Sequence, residues 1–135
     1  IPGLLPPFDY RQADKLLLQG QVVIFAGGTG HPFFTTDTTA ALRASEIGAD
    51  AVFKATKVNG VYSADPFKYP DAIRYERISF AEALAKRLKV MDSTAFSLCQ
   101  DNNMPIVVFK FGEAGLLSAI LGGGFSNATI VGQEP

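Results

Sequence analysis

Apolar residues come along this chain in short blocks with two rhythms. Gln21-Val-Val-Ile-Phe-Ala26 runs on without polar alternation, which suits a strand buried on both faces of a parallel sheet. Ala51–Thr56, Ile106–Phe111 and Ala128–Val131 are blocks of similar size and predict the other strands. Elsewhere the spacing is helical. Ala13, Leu16 and Leu17 mark a short helix over Tyr10–Leu18 that Gly20 ends. Thr35-Thr-Asp37 offers N-cap residues for a helix reaching about Ile47, closed by Gly48. Ser79-Phe-Ala-Glu82 has capping-box spacing for a helix to about Leu88. Met91–Gln100 reads as a further helix stopped by Asp101-Asn-Asn-Met-Pro105, and Ala114–Leu121 as a short one stopped by Gly122-Gly-Gly124.

Helices alternating with apolar strands predict an α/β fold, an open and mainly parallel sheet with helices on both faces. Such sheets bind ligands at the carboxyl ends of their strands. Two loops fall there: Gly27–Phe34, and the long connection Lys57–Arg77 with its Asn59-Gly60 and Asp65-Pro66 turns. A connection of that length is more often functional than idle. No repeat, linker or low-complexity stretch divides the chain, so one unit is expected.

Composition narrows the function classes. The 135 residues are 47% hydrophobic, enough for a real core. Twelve basic residues balance 13 acidic ones with no Lys/Arg run, so nucleic acid and acidic membrane surfaces are poor partners. The apolar blocks are far shorter than the roughly 20 residues of a membrane span. A single cysteine, Cys99, excludes an intrachain disulfide and fits a reducing cytoplasm. The opening Ile1-Pro-Gly-Leu-Leu-Pro-Pro has no basic segment before an apolar one; it reads as a cut end rather than a signal peptide.

Gly27-Gly-Thr-Gly-His-Pro-Phe-Phe-Thr-Thr-Asp37 joins a strand to a helix N-terminus through glycines. There backbone N–H groups, the helix dipole and the Thr35 and Thr36 hydroxyls suit a phosphate or a nucleotide; an ordinary capped βα turn is the alternative. Phe33 and Phe34 are expected as loop anchors packed into the core rather than base-stacking platforms. His31, the only histidine, has no partner at any spacing that would make it a metal ligand or general base. In the second loop Thr56, Tyr62 and Asp65 offer a hydroxyl, a flat ring and a carboxylate to a nucleotide, against the plainer reading of a surface loop with an Asp-Pro turn. Asp37 and Asp92 each lie at a predicted helix start, where either could serve as a cap. Cys99, in a helical apolar pattern with Ala95, Phe96 and Leu98, reads as a small core residue rather than a nucleophile.

Gly30-His-Pro-Phe-Phe-Thr-Thr-Asp37, Lys54-Ala-Thr-Lys-Val-Asn-Gly-Val-Tyr62 with Ala64-Asp-Pro66, and Leu88-Lys-Val-Met-Asp92 together resemble the bacterial uridylate kinases, of the amino-acid-kinase fold family. The resemblance runs from about Leu17 to Val131. It implies transfer of the ATP γ-phosphoryl group to UMP, with Mg2+ and no covalent intermediate, in pyrimidine nucleotide biosynthesis. Carried over by residue, it implies that Thr29, Gly30, His31, Pro32, Phe33, Phe34, Thr35 and Thr36 line the UMP site, and that Thr56, Tyr62 and Asp65 hold ATP. Asp37 would orient groups around the transferred phosphoryl, Asp92 would help organise the site, and no protein metal ligand is assigned. It further implies a cytoplasmic homohexamer.

Three residues depart from the family's habit: His31 where Asn is usual, Asn59 where Asp is common, and Lys110 where a smaller polar residue is usual. The first bears on acceptor contacts. The family's chain is roughly twice as long and begins with a phosphate-binding lysine and a glycine-rich loop that are not in this sequence. Residues 1–135 therefore read as the C-terminal nucleotide-binding part of an amino-acid-kinase domain without its N-terminal half, inactive alone. Competing readings are a carboxylate or carbamate kinase of the same fold, and a non-catalytic nucleotide-binding or regulatory module.

Overall fold

A computed structural model describes residues 3–133; Ile1 and Pro2, the start of the Pro-rich opening, and Glu134 and Pro135 lie outside the described residues. The order of elements is α1 (Tyr10–Leu18), α2 (Thr36–Glu46), β1 (Val52–Thr56), β2 (Arg77–Ser79), α3 (Phe80–Ala85), α4 (Ser93–Asp101), β3 (Ile106–Lys110), α5 (Leu116–Leu121) and β4 (Ala128–Gly132). The expected caps form. Thr35 Oγ1 accepts from the Asp37 and Thr38 amides, Ser79 Oγ from Glu82, and Asp92 Oδ1 from Ala95, so each side chain satisfies donors that the helix start leaves free.

The strands form one sheet in the order β1-β3-β4-β2. β1 pairs with β3 and β2 with β4 in parallel, while β3 and β4 are antiparallel. Central β3 has both faces covered, as its unbroken apolar run requires. On one side Ile106 and Val108 pack with Val52, Ile78 and Val131 against α2, α3 and α4. On the other, Val107 and Phe109 pack with Leu116 and Ile120 of α5. Cys99 of α4 is wholly buried in the larger cluster, and burial pushes its thiol up to about 11. Among the described residues no helix is long and apolar enough to cross a membrane.

Two sequence expectations need correction. Gln21–Ala26 is not a strand: it joins no ladder, and Val22 and Ile24 are 92% and 87% exposed. The apolar run has the composition of a buried strand, but β1, the edge of the sheet nearest it in sequence, is paired only with β3. The second concerns the connection after β1, which ends in β2, a three-residue strand too short to register as a hydrophobic block.

Candidate functional site

The α2–α4 face of the sheet is apolar in its middle and turns polar at the carboxyl end of β1. Val52, Lys54 and Thr56 share that face by the two-residue period of a strand, and only Val52 enters the core. A lysine within an otherwise apolar strand must find partners. Lys54 Nζ donates to Asp37 Oδ2 at 2.6 Å and to the Val90 carbonyl at 3.0 Å. An ammonium has three donors, and these bonds use two of them; the side chain is 23% exposed.

Asp37 is held from the other side by the Asp92 amide, 3.4 Å from Oδ2. Asp92 in turn accepts from the Thr35 hydroxyl, from Thr38 Oγ1 at 3.1 Å and from the Ala95 amide at 2.9 Å. Partial burial by itself would raise the Asp92 carboxyl, but the bonds from Thr35, Ala95 and Thr38 outweigh it and hold the group below the ordinary carboxylate range. The structure thus joins Thr35, Asp37 and Asp92 in one network and adds Lys54 and Thr38. Asp92 is a helix cap as well as a member of this network, whereas Asp37 lies in the first turn of α2 and turns its carboxylate to Lys54.

The glycine turn borders this cluster. Gly27, Gly28 and Gly30 all take positive φ (88°, 68° and 75°), the backbone that glycine adopts without strain. Thr29, His31 and Phe34 face Thr94, Ser97 and Asp101 of α4 across a groove of about 390 Å³. Thr36 instead lines an apolar groove of about 500 Å³ with Phe25, Gly27, Gly28 and Val52. Gly30, Pro32 and Phe33 stand in solvent. The expectation that the two phenylalanines anchor the loop in the core is overturned: Phe33 is fully exposed at φ 70° and Phe34 is 52% exposed, because the turn contributes no residue to either core cluster.

Thr56, Tyr62 and Asp65 belong to a separate structure, the loop after β1. Thr56 Oγ1 is engaged with Val58, the Tyr62 hydroxyl donates to Asn59 Oδ1, and Asp65 Oδ1 accepts from the Phe67 amide at 3.0 Å. The Asp-Pro turn is therefore real, and it leaves the Asp65 Oδ2 edge open apart from Lys68 at 3.9 Å. Lys54 and Thr38 are the members that reasoning from sequence missed. The lysine had a signal, its charge inside an apolar strand; Thr38 had none, since its role depends on Asp92, 54 residues away. No group of three or more His, Cys, Asp or Glu side chains among the described residues could hold a metal ion.

Known proteins agree with this architecture. The uridylate kinase of Mesorhizobium japonicum is 55% identical over 134 residues, 99% of this chain and 55% of its own. That of Legionella pneumophila is 58% identical over 132 residues, 98% of this chain and 53% of its own. The chain therefore spans about half the length of the relatives it matches. The crystal structure of UMP kinase from Ureaplasma parvum superposes with a TM-score of 0.91 at 38% identity, covering 98% of this chain and 57% of that one. UMP kinase from Bacillus anthracis gives 0.93 at 32%, covering 100% and 55%. The model of the amino acid kinase family matches residues 3–110, from α1 through β3. By that match this chain belongs to the amino acid kinase family.

Proposed function

We propose that this chain is the nucleotide-binding part of a uridylate kinase, which moves the γ-phosphoryl group of ATP to UMP. One observation carries the reading: a lysine, two carboxylates and two threonine hydroxyls are locked together at the end of β1, between a glycine turn and a long loop, in a chain whose relatives are named uridylate kinases. A UMP phosphate oxygen bonds to the γ-phosphorus as the bridging oxygen leaves with ADP. Positioning and charge neutralisation supply most of the catalysis in such transfers. Lys54 meets the charge of the moving phosphoryl, Asp37 aims Lys54, and Asp92 fixes Asp37 and the start of α2. Thr29–Thr36 take UMP; Thr56, Tyr62 and Asp65 take ATP.

Magnesium accompanies ATP in this reading. Both Asp92 oxygens and Asp37 Oδ2 are already engaged by Thr35, Thr38, Ala95 and Lys54, and among the described residues no group of three or more His, Cys, Asp or Glu side chains gathers to hold a metal, so no step is assigned to the ion. We place the protein in the cytoplasm as a homohexamer, with the rest of the site supplied by residues outside these 135. A coupled ATP/UMP assay on the intact protein is expected to yield UDP and ADP, and the purified 135 residues none. Failure of the intact protein to make UDP, or equal turnover with acetylglutamate, would refute the reading.

A further inference from the structure

We infer that Thr129 and Arg74 are positioning residues for the donor nucleotide, fastening the Tyr62–Asp65 loop to the start of β4. The inference rests on the kinase reading above, because it is that reading which gives the loop a nucleotide to hold.

Thr129 is the one fully buried polar side chain in a strand whose other inward residues are apolar. Valine would fill the same space, so the hydroxyl is what needs explaining. Both of its bonds go to the loop and none to the sheet: Thr129 Oγ1 accepts from the Val61 amide at 2.8 Å and donates to the Tyr75 carbonyl. Val61 and Tyr75 are the two ends of a small hairpin. The Tyr75 amide donates to the Val61 carbonyl at 2.9 Å, Tyr62 bridges Arg74, and the Ser63 amide reaches the Ile73 carbonyl at 2.9 Å. One buried hydroxyl thus closes the base of the hairpin and ties it to the sheet.

Arg74 works on the same base from outside. Its guanidinium donates to the Ala128 carbonyl at 2.5 Å and the Ser126 carbonyl at 2.6 Å. Because Arg74 is the backbone bridge partner of Tyr62, holding Arg74 at the start of β4 also holds the strand of the hairpin that carries Tyr62. Gly60 completes the fit: a Cβ there would lie 2.3 Å from Thr129 Oγ1, and its φ of +149° disfavours any side chain. Beyond this base Tyr62 and Asp65 bond only within the loop, so their position relative to the sheet is set where Thr129 and Arg74 hold it. By register, Lys54, Val108 and Thr129 form one row across β1, β3 and β4. The lysine fixes the carboxylates at one end of the row and the hydroxyl fixes the donor loop at the other.

Calorimetric titration of the intact protein with ATP and separately with UMP tests this. Thr129→Val is expected to weaken ATP binding about tenfold, the scale of losing a buried hydrogen bond, with UMP affinity changed less than about twofold and Thr129→Ser restoring ATP binding. Arg74→Lys, which keeps the charge but not the paired donors, is expected to act in the same direction and serves if Thr129→Val does not fold. Parallel loss of both affinities, or unchanged ATP affinity in both variants, would overturn the inference. A wild-type protein that binds neither nucleotide would instead overturn the kinase reading beneath it.

Discussion

The two loops at the carboxyl end of β1 are built in opposite ways. Gly27–Phe34 makes one internal bond, from the His31 amide to Thr29 Oγ1, and holds its shape through positive φ angles and the α2 cap. The loop after β1 is stitched to β4 by Thr129, Arg74 and the Ile130 amide's bond to the Glu76 carbonyl. The first therefore presents backbone and exposed rings to a ligand while its foot is gripped by Asp92; the second is held as a frame. In the kinase we propose, a donor must be placed while an acceptor comes and goes, and we give those tasks to the framed loop and the glycine turn respectively.

The largest effect should come from the cluster that stands between them. Asp37→Asn or Lys54→Met in the intact protein is expected to lower kcat at least about a hundredfold while nucleotide KM values shift little, as steady-state rates would show; this is the signature of an interaction made mainly in the transition state. Gly60→Ala comes next. It forces a Cβ into Thr129 Oγ1 and is expected to cost about 2 kcal/mol or more in denaturant titration, whereas Gly30→Ala, with open space around it, should cost about 1 kcal/mol.

Asp92 gives a pH test. Its carboxyl titrates lower folded than unfolded, so as pH falls the unfolded state takes the proton first, and the stability contributed is lost. That contribution is complete well above the unfolded value of about 3.9 and disappears as pH drops through and below it. Asp92→Asn should flatten this acid limb in thermal melts at pH 3 to 6. The smallest effect is expected at Phe33: Phe33→Gly relieves a left-handed backbone and changes stability by less than about 1 kcal/mol, while UMP binding weakens if the exposed ring meets the acceptor.

Elements governed by local chemistry were legible in the sequence. Thr35, Ser79 and Asp92 announced their helices, and Ile106–Phe111 announced a strand; that both its faces are covered is what the structure adds. The long loop was found at the end of β1 and the glycine turn at the start of α2, each marked by its own turn residues. What escaped depended on partners far along the chain. Gln21–Ala26 has the composition of a strand but no ladder to join, β2 is defined only by its pairing with β4, and Thr129 looks like any β-branched strand residue until Val61 and Tyr75 are seen beside it.

The sole thiol of the chain has a practical consequence. Cys99 is sealed beneath α4, on the helix whose cap is Asp92, and its acidity is shifted to about 11, so at neutral pH a thiol reagent reacts only when that helix lifts. The rate of labelling is thus a clock for opening at the foot of the Gly27–Phe34 loop. If UMP binds that loop as proposed, it is expected to slow the labelling.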